Sequence, residues 1–160
     1  MISQSKLFEY YQLSNLNLSE ICLVYIDEYK RNYANIKINF NVEKNLFIIF
    51  DHSYLDIIFN NLFKNSIEAL EDTPDPIIEV SLKKNVKSLI LTFFDNGPGY
   101  DGKTEDLIKP YFSTKKSTGL GLSLINKIIT DNSNKMNITT NSYSGFKIEI
   151  IFNDKNISNL

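Results

Sequence analysis

The sequence predicts an α/β fold: a two-layer sandwich in which helices cover a mixed sheet. Three observations carry this. Runs with helical spacing alternate with short runs of period two; the later strand-like runs follow one another closely enough to pair as hairpins; and 160 residues suit one hydrophobic core. Hydrophobic residues make up 42% and charged residues 22%, a globular balance rather than a disordered one.

The elements follow in order. Residues 3–13, SQSKLFEYYQL, place Leu7 and Tyr11 at helical spacing but carry too little apolar surface to fold alone. Asn17, three residues before Glu20, resembles a capping box that opens a helix. Leu18, Ile21, Cys22, Tyr25 and Tyr29 then share one face, which makes Cys22 a core residue. IKINFNV (36–42) alternates, with Ile36, Ile38, Phe40 and Val42 inward. LFIIF (46–50) is continuous and apolar, as in a strand covered on both faces. Residues 54–70 return to helical period with Leu55, Ile58, Phe59, Leu62 and Leu70, and the break Asp72-Thr73-Pro74-Asp75-Pro76 ends that helix. Strands follow at 77–84 and 87–94, turning near Asn85. An irregular stretch, about 100–118, precedes a glycine-led helix at 119–132. MNITTNS and FKIEIIF close the chain as a hairpin around Ser144-Gly145.

Bulk chemistry excludes several classes. A net charge of −2 exerts no general pull toward nucleic acid or an anionic membrane. The single cysteine cannot form an internal disulfide, which suits a reducing compartment. No run is long and apolar enough for a membrane span, and the first residues lack a signal-peptide pattern. The expectation is a cytoplasmic domain without membrane or nucleic-acid contact.

Three motifs carry chemistry. Asn61 and Asn65 lie four apart on the 54–70 helix, so their amides share a face, and an amide oxygen is a hard ligand suited to Mg²⁺. Asp95-Asn96-Gly97-Pro98-Gly99 follows a strand. Asp95 could accept from an exocyclic amine, and Gly97 and Gly99 would let a flat ring approach the backbone. Thr118-Gly119-Leu120-Gly121-Leu122, preceded by Ser113-Thr114-Lys115-Lys116, opens a helix whose free N–H groups suit an anion. Each alone also reads as ordinary structure: a solvated face, a turn, a glycine-initiated helix.

Together, in this order, they resemble the GHKL ATP-binding superfamily, and within it the catalytic domain of bacterial sensor histidine kinases. NNLFKNSIEAL looks like the N box, DNGPG the G1 box, PYFSTKK the F box and lid, and TGLGL the G2 box, over roughly residues 16–153. The resemblance implies the Bergerat fold, with a mostly antiparallel sheet covered on one face by helices. It implies ATP and Mg²⁺ as cofactors, with Asn65 holding the metal and Asn61 in support. Asp95 would read adenine beside Gly97 and Gly99. Gly119 and Gly121, with Thr118, Leu120 and Leu122, would meet the phosphates, and Thr114 and Lys115 would lie on the lid, where Lys115, a catalytic residue in this reading with Asn61 and Asn65, would touch the terminal phosphate.

The resemblance also implies γ-phosphoryl transfer to a histidine on a separate dimerisation domain, with a response regulator downstream and a parent protein that could be membrane-anchored. Residues 1–15 resemble the helical end of such a dimerisation domain, and 154–160 read as a tail. The NSIEAL ending suggests the nitrogen-regulation and sporulation branch, where Glu68 stands in place of a basic residue and positive charge is expected from the lid. Departures are Ser117 for a glycine and Asn132-Ser133-Asn134 for His-Gly-Gly. The one histidine, His52, reads as a surface residue. Two other readings share these boxes: a serine kinase of the anti-sigma type and a non-catalytic nucleotide-sensing module.

Overall fold

The computed structural model describes residues 12–112, 119–141 and 145–158. Five strands form the main sheet: β2 (Lys37–Val42), β4 (Ile77–Asn85), β5 (Ser88–Asp95), β6 (Lys135–Asn141) and β7 (Gly145–Asn153). Their order is β2-β4-β5-β7-β6, with β2 and β4 parallel and every other pair antiparallel. A separate antiparallel pair joins β1 (Leu13–Asn17) to β3 (Phe47–Asp51). Helices α1 (Leu18–Asn32), α2 (His52–Leu70) and α4 (Gly121–Asp131) pack against the main sheet, and α3 (Thr104–Leu107) is a single turn. The expected two-layer sandwich is therefore present, mixed and mostly antiparallel.

Period two decides which side chains meet the helices. Ile78, Val80 and Leu82 of β4, Leu89, Leu91 and Phe93 of β5, and Ile148, Ile150 and Phe152 of β7 are all buried. Aromatic side chains tie the layers together. Phe63 of α2 stacks on Tyr29 of α1 at 4.2 Å and meets Phe93 edge-on at 4.9 Å. Cys22 is fully buried in this core, and its thiol pKa is pushed up to about 12 by desolvation. Asn17 caps α1 as expected, its Oδ1 accepting from the Glu20 N–H at 3.2 Å.

Several expectations need correction. Residues 13–15 are strand, not the end of a helical stub, because β1 finds its partner in β3; residues 1–11 lie outside the described part. β3 is covered on one face only: Leu46, Ile48 and Phe50 are buried while Ile49 is 40% exposed. Phe40 shares the inward side of β2, yet it is 47% exposed because β2 is an edge strand, and Lys30 of α1 lies over its ring. The long helix begins two residues earlier than its apolar period, because Asp51 caps it through its bond from the Ser53 N–H at 2.8 Å. The segment 154–158 is joined to β3, with Ile157 bridging Ile48 and the Ser158 N–H donating to the Phe47 carbonyl. Among the described residues no helix is long and apolar enough to cross a membrane.

Candidate functional site

One cleft opens between α2, the end of β5, the loop that follows it and the start of α4. Its lining includes Asn61, Asn65, Asp95, Gly99, Gly119, Gly121 and Leu122. Side chains expected from three separate motifs thus line one space. Gly97 and Leu120 stand beside it, Gly97 within the β5 turn and Leu120 at the N-cap of α4. Thr114, Lys115 and Thr118 lie outside the described residues.

Asp95 owes its place to strand alternation. It ends β5 on the face that carries Leu89, Leu91 and Phe93, so its carboxylate enters the cleft rather than bulk water and is 3% exposed. Its Oδ1 accepts from the Gly97 N–H at 3.1 Å. A Cβ at Gly97 would stand 2.9 Å from that oxygen and 3.1 Å from the Ala69 carbonyl, so the turn and α2 close in on the residue at this position. Gly99 has φ +66°, and a Cβ there would collide with the Asn141 carbonyl on β6.

Asn96 fixes the same turn from the other side. Its Oδ1 accepts from the Ile77 N–H at 2.7 Å and its Nδ2 donates to the Asp75 carbonyl at 3.1 Å. The turn is thereby pinned to the start of β4. Beyond it, the Tyr100 N–H donates to Thr140 Oγ1 at 2.9 Å, and that hydroxyl donates to the Gly145 carbonyl at 2.9 Å. Neither Asn96 nor Thr140 is singled out by sequence reasoning, since both act through strand neighbours distant in the chain.

On α2, Asn61 Nδ2 donates to the Ile57 carbonyl one turn back at 2.7 Å. Its Oδ1 faces Gly121, where a Cβ would stand 2.8 Å from it; Asn65 Nδ2 lies 3.7 Å from the same point. The two amides therefore confront the first turn of α4, whose N–H groups have no intrahelical partner. Between this polar end and Asp95 the walls are apolar: Leu62, Ala69, Phe93, Leu107, Phe146 and Ile148. Leu107 and Phe112 come from the irregular stretch and are not legible as site residues, because no period marks them. Their arrangement suits a ligand with a flat, amine-bearing ring at one end and anionic groups at the other.

His52 stands elsewhere. It opens α2, exposed, with Nδ1 3.3 Å from Asp56 Oδ2. Asp56 in turn accepts from the Tyr25 hydroxyl at 2.5 Å.

Comparison with known proteins agrees with the fold and with the family resemblance. The profile of the family described as histidine kinase-, DNA gyrase B-, and HSP90-like ATPase matches residues 50–156, about two thirds of the chain. Sporulation kinase B of Bacillus subtilis is 31% identical over 121 residues, which cover 74% of this chain and 28% of that protein. Nitrogen regulation protein NtrY of Azorhizobium caulinodans is 33% identical over 89 residues, covering 51% and 12%. The chain thus spans little more than a quarter, or less, of these relatives' length. Among solved structures, the catalytic domain of histidine kinase ThkA superposes with TM-score 0.78 at 24% identity, over 89% of this chain and 98% of that one. The mycobacterial sensor histidine kinase MprB superposes with TM-score 0.77 at 16% identity, over 93% and 100%. On the family match and these likenesses, the chain belongs to the histidine kinase-, DNA gyrase B- and HSP90-like ATPase family, as an ATPase domain of the sensor histidine kinase kind.

Proposed function

We propose that this domain binds Mg-ATP in the cleft and presents the γ-phosphoryl group to a histidine imidazole on a separate dimerisation domain. The observation that carries the reading is the meeting of Asn61, Asn65, Asp95, Gly99, Gly119 and Gly121 around one space with apolar walls. The residues fit the nucleotide: a buried carboxylate beside an apolar slot at one end, two amides against a helix start at the other.

In this reading Asp95 accepts a hydrogen bond from the adenine amine, and Gly97 and Gly99 keep that wall free of Cβ atoms. Asn65 supplies an amide oxygen to Mg²⁺, with Asn61 beside it. Gly119, Leu120, Gly121 and Leu122 bring backbone N–H groups to the phosphates, and Thr114, Lys115 and Thr118 complete that side. Bound Mg-ATP supplies an electrophilic phosphorus whose developing charge the metal helps neutralise.

The residues around it have little covalent work to do; they position the group and exclude alternatives. Asn61 bears on which acceptor is used. A carboxamide oxygen cannot take a proton from water at neutral pH, so this residue cannot serve as general base for hydrolysis. Hydrolysis is therefore slow and transfer to an external imidazole is favoured. The partner is then the dimerisation domain of the same kinase, followed by a response regulator, in the cytoplasm.

The test is to mix the chain with a histidine-bearing dimerisation domain and γ-labelled ATP. Acid-labile, base-stable label on that domain is expected. Acid-stable label would point to a hydroxyl acceptor, as in an anti-sigma kinase, and absence of label to a binding module; either contradicts the proposal.

A further inference from the structure

We infer that Lys64 is a binding residue for the terminal phosphate of the nucleotide, held in reserve by Glu68; this rests on the nucleotide reading of the cleft. The face of α2 that lines the cleft reads Asn61, Lys64, Asn65, Glu68, the i, i+3, i+4, i+7 pattern of one helical stripe. Lys64 therefore shares its stripe with the two amides at the polar end. Among the described lining residues it is the one cation, set against two carboxylates, Asp95 and Glu68. A nucleoside triphosphate brings several more negative charges, and even with Mg²⁺ it remains an anion. Its phosphates call for cations at the polar end, and among the described lining residues Lys64 is the one that α2 brings there.

Lys64 is placed for that task. Its ammonium lies 4.0 Å from Glu68 Oε1, too far for a hydrogen bond, and its side chain is 72% exposed. An exposed pair of this kind contributes little, so exchanging a carboxylate for a phosphate costs almost nothing. A phosphate offers up to two charges and three acceptor oxygens where Glu68 offers one charge, so the exchange is favourable. Glu68 has a second consequence. Once Lys64 leaves, its carboxylate stands uncompensated beside the bound anion and limits affinity. The positive charge expected from the lid is then supplied, at least in part, by the rigid helix that also carries Asn65.

Calorimetric titration of the whole chain with Mg-ATP and with Mg-ADP, at low salt, tests this. Lys64→Met is expected to weaken Mg-ATP about tenfold and Mg-ADP by less than about threefold. Glu68→Gln is expected to tighten Mg-ATP about twofold. In about 0.5 M salt the gap between Lys64→Met and wild type should largely close, because an exposed charge is screened. Circular dichroism checks that Lys64→Met keeps its fold, as an exposed position should. Equal losses for the two nucleotides, or no loss, would overturn the assignment of Lys64 while leaving the cleft a nucleotide site. Failure of wild type to bind either nucleotide would overturn both.

Discussion

Asn61 Oδ1 occupies the place from which any side chain on Gly121 would have to be built: a Cβ there would stand 2.8 Å away. The contact joins the middle of α2 to the first residue of α4, two helices that meet only through tertiary packing. Asn61 cannot move freely aside, because its Nδ2 is committed to the Ile57 carbonyl. Gly121→Ala must therefore displace the amide that faces the polar end of the cleft. Gly121 is the first residue of α4, where alanine gains only part of its interior helix advantage, so that gain and the displaced contact roughly cancel and stability should change little. The expected outcome is a melting temperature changed by no more than about 2–4 °C with phosphoryl transfer reduced about tenfold. Parallel loss of both would indicate general damage instead.

Ser133 offers the opposite case, a position where glycine should help. The Asn134 N–H donates to the Ile129 carbonyl and the Ser133 N–H to the Thr130 carbonyl, the paired bonds of a Schellman ending to α4. Ser133 takes the left-handed conformation at φ +60°, where a Cβ is disfavoured. Ser133→Gly should raise stability by about 1 kcal/mol, or about 2–4 °C in Tm for a domain of this size. Differential scanning calorimetry reads this directly. Nucleotide affinity should not change, since Ser133 lies at the far end of α4 from the cleft.

Alkaline stability should carry the mark of Cys22. Its thiol titrates near pH 9 when unfolded and is pushed up to about 12 in the core. Between those values the unfolded chain has lost a proton that the folded chain keeps, so stability is full below pH 9 and falls as pH rises toward 12. The slope is about 1.4 kcal/mol per pH unit for one proton. Tyr25, whose phenol is also raised, first by desolvation and then by its bond to Asp56, adds a second loss above pH 10. Urea unfolding at stepped pH should show a shallower decline for Cys22→Ala than for wild type. Identical slopes would mean the thiol does not titrate in this way.

Local signals made most of the fold legible. β4 and β5 alternate without interruption, α2 keeps its apolar stripe, and the Asn17 cap works at short range. What was missed depends on non-local pairing. The residues of β1 become a strand only because β3 offers an edge, and Ile49 is exposed because that pair forms a sheet of its own. The site divides in the same way. Asn61, Asn65, Asp95 and Gly121 stand out because each residue type is unusual for its element. Leu107, on the single turn of α3, and Phe112, just beyond it, line the cleft from a stretch with no period, and Asn96 works through Ile77 and Asp75, distant in sequence and adjacent in space.

Asp95 carries the central claim, that the cleft reads a nucleotide base. Asparagine at this position keeps an oxygen to accept from the Gly97 N–H but loses the charge and presents an amide to the incoming amine. Titration of wild type and Asp95→Asn with Mg-ATP, beside circular dichroism spectra of both, is the most direct test. The account predicts saturable one-to-one binding by wild type and at least about tenfold weaker binding by a folded variant. Equal affinity of the two folded proteins, or no binding by wild type, would contradict it.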